Sequence, residues 1–455
     1  MRFIRFLVLV LSTLYLTQII ANQNTYNFTK ICVDNATDAS ANYTTREKSL
    51  IQSATALGSL GASVPLVIAL ERLPRKYIYL SAGVISAIAT GLVPLAESAG
   101  FGYFFACRVF QGVGFSISFP MAGAVTSEWA GLKEHGIFLS FLTGFSQLAN
   151  IYLMPVAGEL CSSSWGWRSV YYVMTAVGAV LIVLLFLFFE DKPAQHRMVR
   201  PAELEHILHG RVEKKREPVP YMSVFKSLTI WGVWFSGFAD ILAIQFAVMF
   251  SPQYLNDYLH FDVLNTGFMS AVPIIVQWIF KVFAGVSSDL IKNVDETLKL
   301  RVYNTIALGL AAVSYIALSF VPNSQPALCM VVLILTEGFM GFNTAGFNKC
   351  GTLHARQHAH FIMMQIMNVQ SICILVEPFL VNGIITDNTA AQWREVFWIH
   401  AVLMLGAAMV FLIFADARPA PWTESTGEVE ELEDVKDRKR AYSNTVSELD
   451  IPTKL

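Results

Sequence analysis

Eleven apolar runs recur along this chain, each long enough for a helix to cross the roughly 30 Å hydrocarbon core of a bilayer. They fall at 50–70, 77–96, 102–127, 135–158 and 170–189, then at 228–250, 266–290, 302–321, 327–347, 361–385 and 396–415. A twelfth, at 6–20, follows Arg2 and Arg5. Backbone in lipid must satisfy its own hydrogen bonds, so such runs become helices rather than open strands. The expected class is an all-α polytopic membrane protein with twelve transmembrane helices in two six-helix halves. Residues 1–189 would form the first half with a glycosylated loop at 24–48, and 190–227 a cytoplasmic connector. Residues 228–415 would form the second half, and 416–455 a disordered cytoplasmic tail.

The first run resembles the charged and apolar regions of a signal peptide. Either it is cleaved, leaving eleven spans, or it is retained as a first helix. No clean small-x-small cleavage site precedes Asn22, so retention is the expectation here. Its polar continuation, 22–33, would then face a cavity rather than lipid.

Three glycosylation sequons begin at Asn27, Asn35 and Asn42. Their confinement to one hydrophilic stretch marks it as non-cytoplasmic. Lys and Arg bias gives the same sidedness. Arg72, Arg75, Lys76, Lys133, the basic connector, Lys292, Lys299, Arg301 and Arg356 all fall in alternate loops. Both termini and the connector are therefore predicted to be cytoplasmic. Within the connector, 201–216 places Leu204, Ile207 and Leu208 on one helical face, which suits an interfacial helix as well as a solvated one.

Hydrophobic residues make up 54% of the 455, far from a soluble globule, and the net charge of −2 removes any case for nucleic acid. The six cysteines lack metal-ligand spacing. Cys32 and Cys161 share the outer face and can pair there, although unpaired thiols are the blander expectation. No nucleophile with a base and no phosphate cradle is present, so neither an enzyme nor a cofactor is expected.

Charges inside membrane helices cost about 2.5–3.5 kcal/mol on insertion scales and mark functional sites. Arg108 opens the segment 108–129, with Gln111 one turn on. Gln52, Asp240, Lys281, Glu337 and Glu377 also lie inside apolar runs. Arg108 with Gln52 and Gln111 is the expected substrate site. Asp240, Lys281, Glu377 and Glu337 are the expected coupling charges, with Asp240 foremost. Lys281 can alternatively snorkel toward Asp289. His135 and His400 are expected to pack, Glu128 and Glu159 to reach interfacial water, and the small residues Gly112, Gly114, Ser116 and Ser118 to let helices approach.

An acid followed by bases recurs at corresponding ends of the two halves. Glu71, Arg72, Arg75 and Lys76 follow the second run, and Gly285 and Asp289, with Lys292 beyond, end the eighth. Such repeats mark duplicated transporters, and these residues form the expected cytoplasmic gate.

Here the chain resembles the major facilitator superfamily, whose loop motif has the form G-x-x-x-[DE]-[RK]-x-G-x-[RK]-[RK]. Val67 and Pro74 stand where glycines are usual. The resemblance narrows to the anion:cation symporters, which include sialin, vesicular glutamate transporters and type I sodium/phosphate cotransporters. It rests on Arg108-Val109-Phe110-Gln111-Gly112, Pro120, Trp129, Met154-Pro155-Val156-Ala157-Gly158, Gly166-Trp167 and Val170-Tyr171-Tyr172. Ser270-Ala271-Val272-Pro273, Gly346-Phe347-Asn348, Trp393-Arg394-Glu395-Val396-Phe397 and Pro421-Trp422 continue it, so that nearly the whole chain is covered.

The resemblance implies a carrier of a small organic anion or inorganic phosphate, coupled to a proton or sodium gradient or to membrane potential. It places the substrate-anchoring arginine on Arg108. The chain departs from the family where a coupling glutamate becomes Phe115, a histidine becomes Gln52 and an arginine becomes Asp240. The expected partners are a small anion, a coupling ion and the bilayer, with the monomer as the functional unit. Plasma, lysosomal and vesicular membranes all fit, and an anion channel or a non-transporting receptor is the alternative.

Overall fold

The computed structural model describes residues 4–34, 43–131, 134–208 and 219–423. No strand occurs among the described residues. Eleven of their helices are long and apolar enough to cross a membrane. In the first half these are α1 (Ile4–Asp34), α2 (Thr45–Arg72), α3 (Arg75–Ala99), α4 (Phe101–Trp129) and α6 (Gly166–Phe188). The fifth position is held by two end-to-end helices, His135–Thr143 and Phe145–Ser162, which together are α5 and make up the twelve expected spans. Gly144 between them keeps helical dihedrals. The second half comprises α7 (Leu228–Gln253), α8 (Val263–Leu290), α9 (Glu296–Leu318), α10 (Pro326–Ala355), α11 (Ala359–Ile384) and α12 (Ala390–Phe414).

The packing is duplicated. In the first half α1 packs on α5 and α6, α4 on α2 and α3, and α3 on α6. In the second, α7 packs on α11 and α12, α10 on α8 and α9, and α9 on α12. Adding six to each number of the first set gives the second. The helices α2 and α8 are each 28 residues long, and Glu71 and Asp289 both occupy position 27 (71 − 44 and 289 − 262). Likewise α4 and α10 each break after fifteen residues, at Phe115 and Met340. The internal repeat legible in the motif thus extends to helix length and interruption.

The halves meet through α2 against α11, α5 against α8 and α1 against α7. Ser49 Oγ donates to the Pro378 carbonyl at 3.1 Å and Ser53 Oγ to that of Leu375 at 2.9 Å. Asn382 Nδ2 donates to Ser49 Oγ and Gln52 Oε1, each at 3.0 Å, and Lys30 Nζ to Gln253 Oε1 at 2.6 Å. Gly158 and Gly267 bring α5 and α8 together, since a Cβ on Gly267 would lie 2.7 Å from the Met154 carbonyl. All of these lie toward the end of the bundle where α1 stops and α2 starts, the sequon end. Deeper, the Ser59 and Ser371 hydroxyls meet at 3.1 Å, near the middle of both helices. Among the described residues, no hydrogen bond joins the halves nearer the connector end.

Several expectations change. The stretch 22–33 continues α1, whose polar side chains bond within the protein: Asn22 to Ser86, Asn24 to Asn150 and Thr29 to Tyr171. Of the loop expected at 24–48, residues 24–34 instead belong to α1 and 45–48 to α2. Asn27, 2% exposed and bonded to Asn24, is no glycosylation site. Asn35 and Asn42 lie outside the described residues, as does Lys133. Cys32 and Cys161 form a disulfide, because α1 and α5 end side by side with Cα atoms 6.1 Å apart. The blander expectation of free thiols is corrected.

The connector helix Pro201–Leu208 docks on the first half. Ile207 and Glu203 are buried, and Glu203 Oε1 accepts from the Arg5 backbone N–H at 3.2 Å. The tail is held as far as Thr423, which shortens the expected disordered segment. His354 Nδ1 donates to the Arg418 carbonyl at 2.7 Å, and Trp422 packs near His354 and His358. The Arg418 guanidinium, bonded to Asp416, holds that carboxyl below the usual carboxylate range.

Candidate functional site

Arg108 is 1% exposed at the junction of α1, α2 and α4. Its position follows from how closely those helices approach. A Cβ on Gly112 would lie 1.9 Å from the Thr55 carbonyl, and one on Gly58 would lie 2.0 Å from that of Val109. Only glycine at these two crossings lets α4 seat against α2, which aims the next turn's arginine inward.

The guanidinium is held by neutral oxygens. Nε donates to the Ile51 carbonyl at 3.2 Å, and Nη1 donates to the Gln23 carbonyl at 2.5 Å and to Gln111 Oε1 at 2.7 Å. Gln111 Nε2 donates onward to Thr90 Oγ1 at 2.9 Å, and the Tyr26 ring centroid lies 5.4 Å from the guanidinium carbon. Among the described residues, Nη2 donates no hydrogen bond and no carboxylate lies within ion-pair distance of Arg108. Gln52 follows Ile51 in sequence but joins the seam between the halves. Its Oε1 accepts from Asn382, and its buried Nε2 has no hydrogen-bond partner among the described residues.

The expected coupling charges form no single bonded chain among the described residues. Asp240 Oδ2 accepts from Asn343 Nδ2 at 2.7 Å, and Oδ1 accepts from no described residue. Glu337 Oε2 accepts from Gln277 Nε2 at 3.3 Å. Glu377 Oε1 faces His400 Nε2 at 3.2 Å. Lys281 makes no ion pair among the described residues. Asp289 is held by Lys349 Nζ at 2.9 Å, so it is not the snorkelling partner of Lys281 that the spacing allowed. A cage of Phe246, Tyr254, Tyr315, Trp393 and Phe397 fills the space between α7, α9 and α12.

At the connector end, the gate residues keep to their own halves. Arg75 Nη1 meets Glu128 Oε1 at 3.2 Å, so the half-buried Glu128 also reaches a cation. Lys76 Nζ meets Glu190 Oε1 at 2.8 Å. Arg72 is exposed, and the Glu71 and His135 side chains lie outside the described set. Gly285 packs against nothing within 4 Å of where its Cβ would stand.

Sequence reasoning placed the buried acids and bases but missed their neutral partners Asn343, Gln277 and Gln23. Amides inside apolar runs were the signal, and their pairing across helices was not written in any spacing. The contact of His400 with Glu377 was also missed, since a histidine in an apolar helix reads first as packing.

The family model of the Major Facilitator Superfamily matches residues 3–378. The chain belongs to the major facilitator superfamily. Within it, the chain is similar to members of the anion:cation symporter family, at about a quarter identity. It is 25% identical to human sialin over 342 residues, covering 74% of this chain and 69% of sialin. It is 25% identical to human sodium-dependent phosphate transport protein 1 over 402 residues, covering 87% and 86%. Human vesicular glutamate transporter 2 is 24% identical over 366 residues, covering 78% of this chain and 62% of that protein. The superfamily is one of transporters, not enzymes, and its members are multi-pass membrane proteins.

The superfamily fold is shared with solved structures. A D-xylose-proton symporter matches with a TM-score of 0.73 at 14% identity over 90% of this chain and 98% of its own. A bacterial homolog of the human lysosomal transporter Spinster, inward-facing and unoccupied, matches with a TM-score of 0.69 at 14% identity. That match covers 92% of this chain and 100% of the homolog.

Proposed function

We propose that this superfamily member is a secondary active transporter that carries a small organic anion or inorganic phosphate by alternating access. The observation that carries this reading is the buried, acid-free guanidinium of Arg108. A cation out of water is costly unless paired, and neutral carbonyls compensate it only in part. A carboxylate or phosphate oxygen on Nη2 would complete it, and arginine suits such oxygens because its donors form a planar fork. Gln111 orients the fork, and Gln52 offers a free amide at the adjoining seam.

The relatives' names include a phosphate transporter and a glutamate transporter, which supports an anionic cargo. The seal at the sequon end, against no inter-half hydrogen bond nearer the connector end among the described residues, supports one station of an alternating cycle. Such a seal is of no use to an open channel. With the connector and both termini on the cytoplasmic side, as the Lys and Arg bias favours, the sealed end is the non-cytoplasmic one in this state. Coupling is to a proton or sodium gradient or to membrane potential, through the buried carboxyl groups of Asp240, Glu337 and Glu377 and the half-buried Lys281. Lysosomal, vesicular and plasma membranes all suit a monomeric carrier glycosylated at Asn35 and Asn42.

A ligand panel tests the binding part. Purified protein is heated with monocarboxylates, dicarboxylates, acidic sugars and inorganic phosphate. A cargo at a hundred times its Kd stabilises by about 2.7 kcal/mol. At least one anion class should raise the melting temperature of the wild type and not of Arg108→Ala. Equal shifts in the two proteins would remove Arg108 from the site.

A further inference from the structure

The contact between Glu377 on α11 and His400 on α12 contains more than an ion pair's distance. Both are essentially inaccessible, at 0% and 1% side-chain exposure. His400 Nδ1 lies 2.9 Å from the Val396 carbonyl oxygen. A carbonyl only accepts, so Nδ1 carries a proton. In the neutral imidazole that leaves Nε2 as an acceptor, and Nε2 is the atom that faces Glu377 Oε1 at 3.2 Å. If Glu377 is ionised as well, two lone pairs meet in a dry interior with no donor between them. Neither Glu377 oxygen accepts a hydrogen bond from any other described residue.

We propose that Glu377 and His400 form a binding site for one proton, held between Glu377 Oε1 and His400 Nε2, and that this is the coupling proton of the carrier. The proton comes from water. It sits on Nε2 as an imidazolium beside a carboxylate, or on the carboxyl beside a neutral ring. Either placement turns two facing acceptors into a hydrogen bond. The assignment of coupling rests on the transport reading above, whereas proton binding rests on the geometry alone.

The surroundings favour a site of this kind. From α7 the ring of Phe246 packs 4.8 Å from that of His400, and from α9 Tyr315 packs at 5.9 Å. Tyr315 from α9 and Cys373 one turn earlier on α11 are within electrostatic reach of Glu377, and Asp240 from α7 and Glu337 from α10 are within reach of Tyr315. From α2, the neutral Ser49, Gln52 and Ser53 face α11. Among the described residues no second base contacts the pair, so the proton is what offsets the Glu377 charge. The site also abuts the seal. Pro378, the next residue, offers its carbonyl to Ser49 of the other half, and Asn382 follows one turn on. A change of charge at Glu377 therefore acts on the segment of α11 that closes the sequon end.

The test is an infrared pH titration of the purified full chain, with no cargo present, for wild type, Glu377→Gln and His400→Gln. The wild type should show one carboxyl or imidazole protonation step that both variants lack. A wild type without the step, or the step retained in both variants, overturns the site. In vesicles, pH-driven anion accumulation by Glu377→Gln should fall by about tenfold or more, the scale of site-to-site coupling, and its pH profile should flatten. An unchanged profile overturns the coupling role. A wild type that accumulates no anion under any gradient defeats the transport reading instead, and the infrared result still decides the proton site. If either variant elutes as aggregate, the other and the wild type decide.

Discussion

Arg108 Nη1 lies 2.7 Å from Gln111 Oε1, and the Gln111 amide passes the contact on to Thr90, so one turn of α4 both buries a cation and fixes its direction. Replacing Arg108 by Ala should lower anion uptake by about 30-fold or more, on the scale of about 2–5 kcal/mol for losing one partner of a buried charge pair. Arg108→Lys keeps the charge but loses the fork, and should fall between the two. Uptake and surface delivery are measured in the same cells. Wild-type uptake by Arg108→Ala at normal delivery would refute the anchoring role.

Gly112 is a steric requirement. A methyl group there meets the Thr55 carbonyl, so Gly112→Ala must push α2 and α4 apart at a cost of about 1–3 kcal/mol. Gly123, on the same helix path, has nothing within 4 Å, and Gly123→Ala should stay within about 0.5 kcal/mol of wild type. Thermal unfolding in detergent compares them. Equal melting temperatures would mean that the crossing is looser than it stands.

The bond between Cys32 and Cys161 joins the ends of α1 and α5 across 129 residues of chain. Removing it with paired serines should cost about 2–4 kcal/mol, mainly by freeing the unfolded chain. Alkylation followed by mass spectrometry reads the thiols directly. Both should label only after reduction, and labelling of the untreated protein would contradict the bridge.

Asn382 ties α11 to α2 through two bonds, to Ser49 and Gln52. Asn382→Ala removes both, at about 0.5–1.5 kcal/mol each, which is enough to shift a two-state equilibrium several-fold. Spin labels at the exposed positions Arg46 and Asp387 report the width of the sequon end. The variant should gain a longer-distance population, and an unchanged distribution would show that these bonds do not hold the seal.

The helices, their pairing into halves and the buried position of Arg108 were legible before any coordinates, because lipid leaves a polar side chain few places to go. Glu71 and Asp289 announced the duplication, and their shared position 27 confirms it. The loop expected from residue 24, with its sequon at Asn27, failed for one reason. The end of α1 carries so many polar residues that it reads as loop, whereas it is a helix packed on α3, α4 and α5 with those groups bonded inside. Glu377 was visible as a buried acid, but its meeting with His400 depends on how α11 and α12 lie together, which no local pattern records. Asn343 and Gln277 stayed hidden for the same reason.

The central claim is gradient-driven transport through a site built on Arg108. It is tested most directly by loading proteoliposomes with wild type or Arg108→Ala and following radiolabelled phosphate and organic anions. Proton, sodium and voltage gradients are imposed one at a time. Wild type should accumulate at least one anion above equilibrium under at least one gradient, and Arg108→Ala should accumulate none. Accumulation by neither protein, or by both alike, would contradict the account.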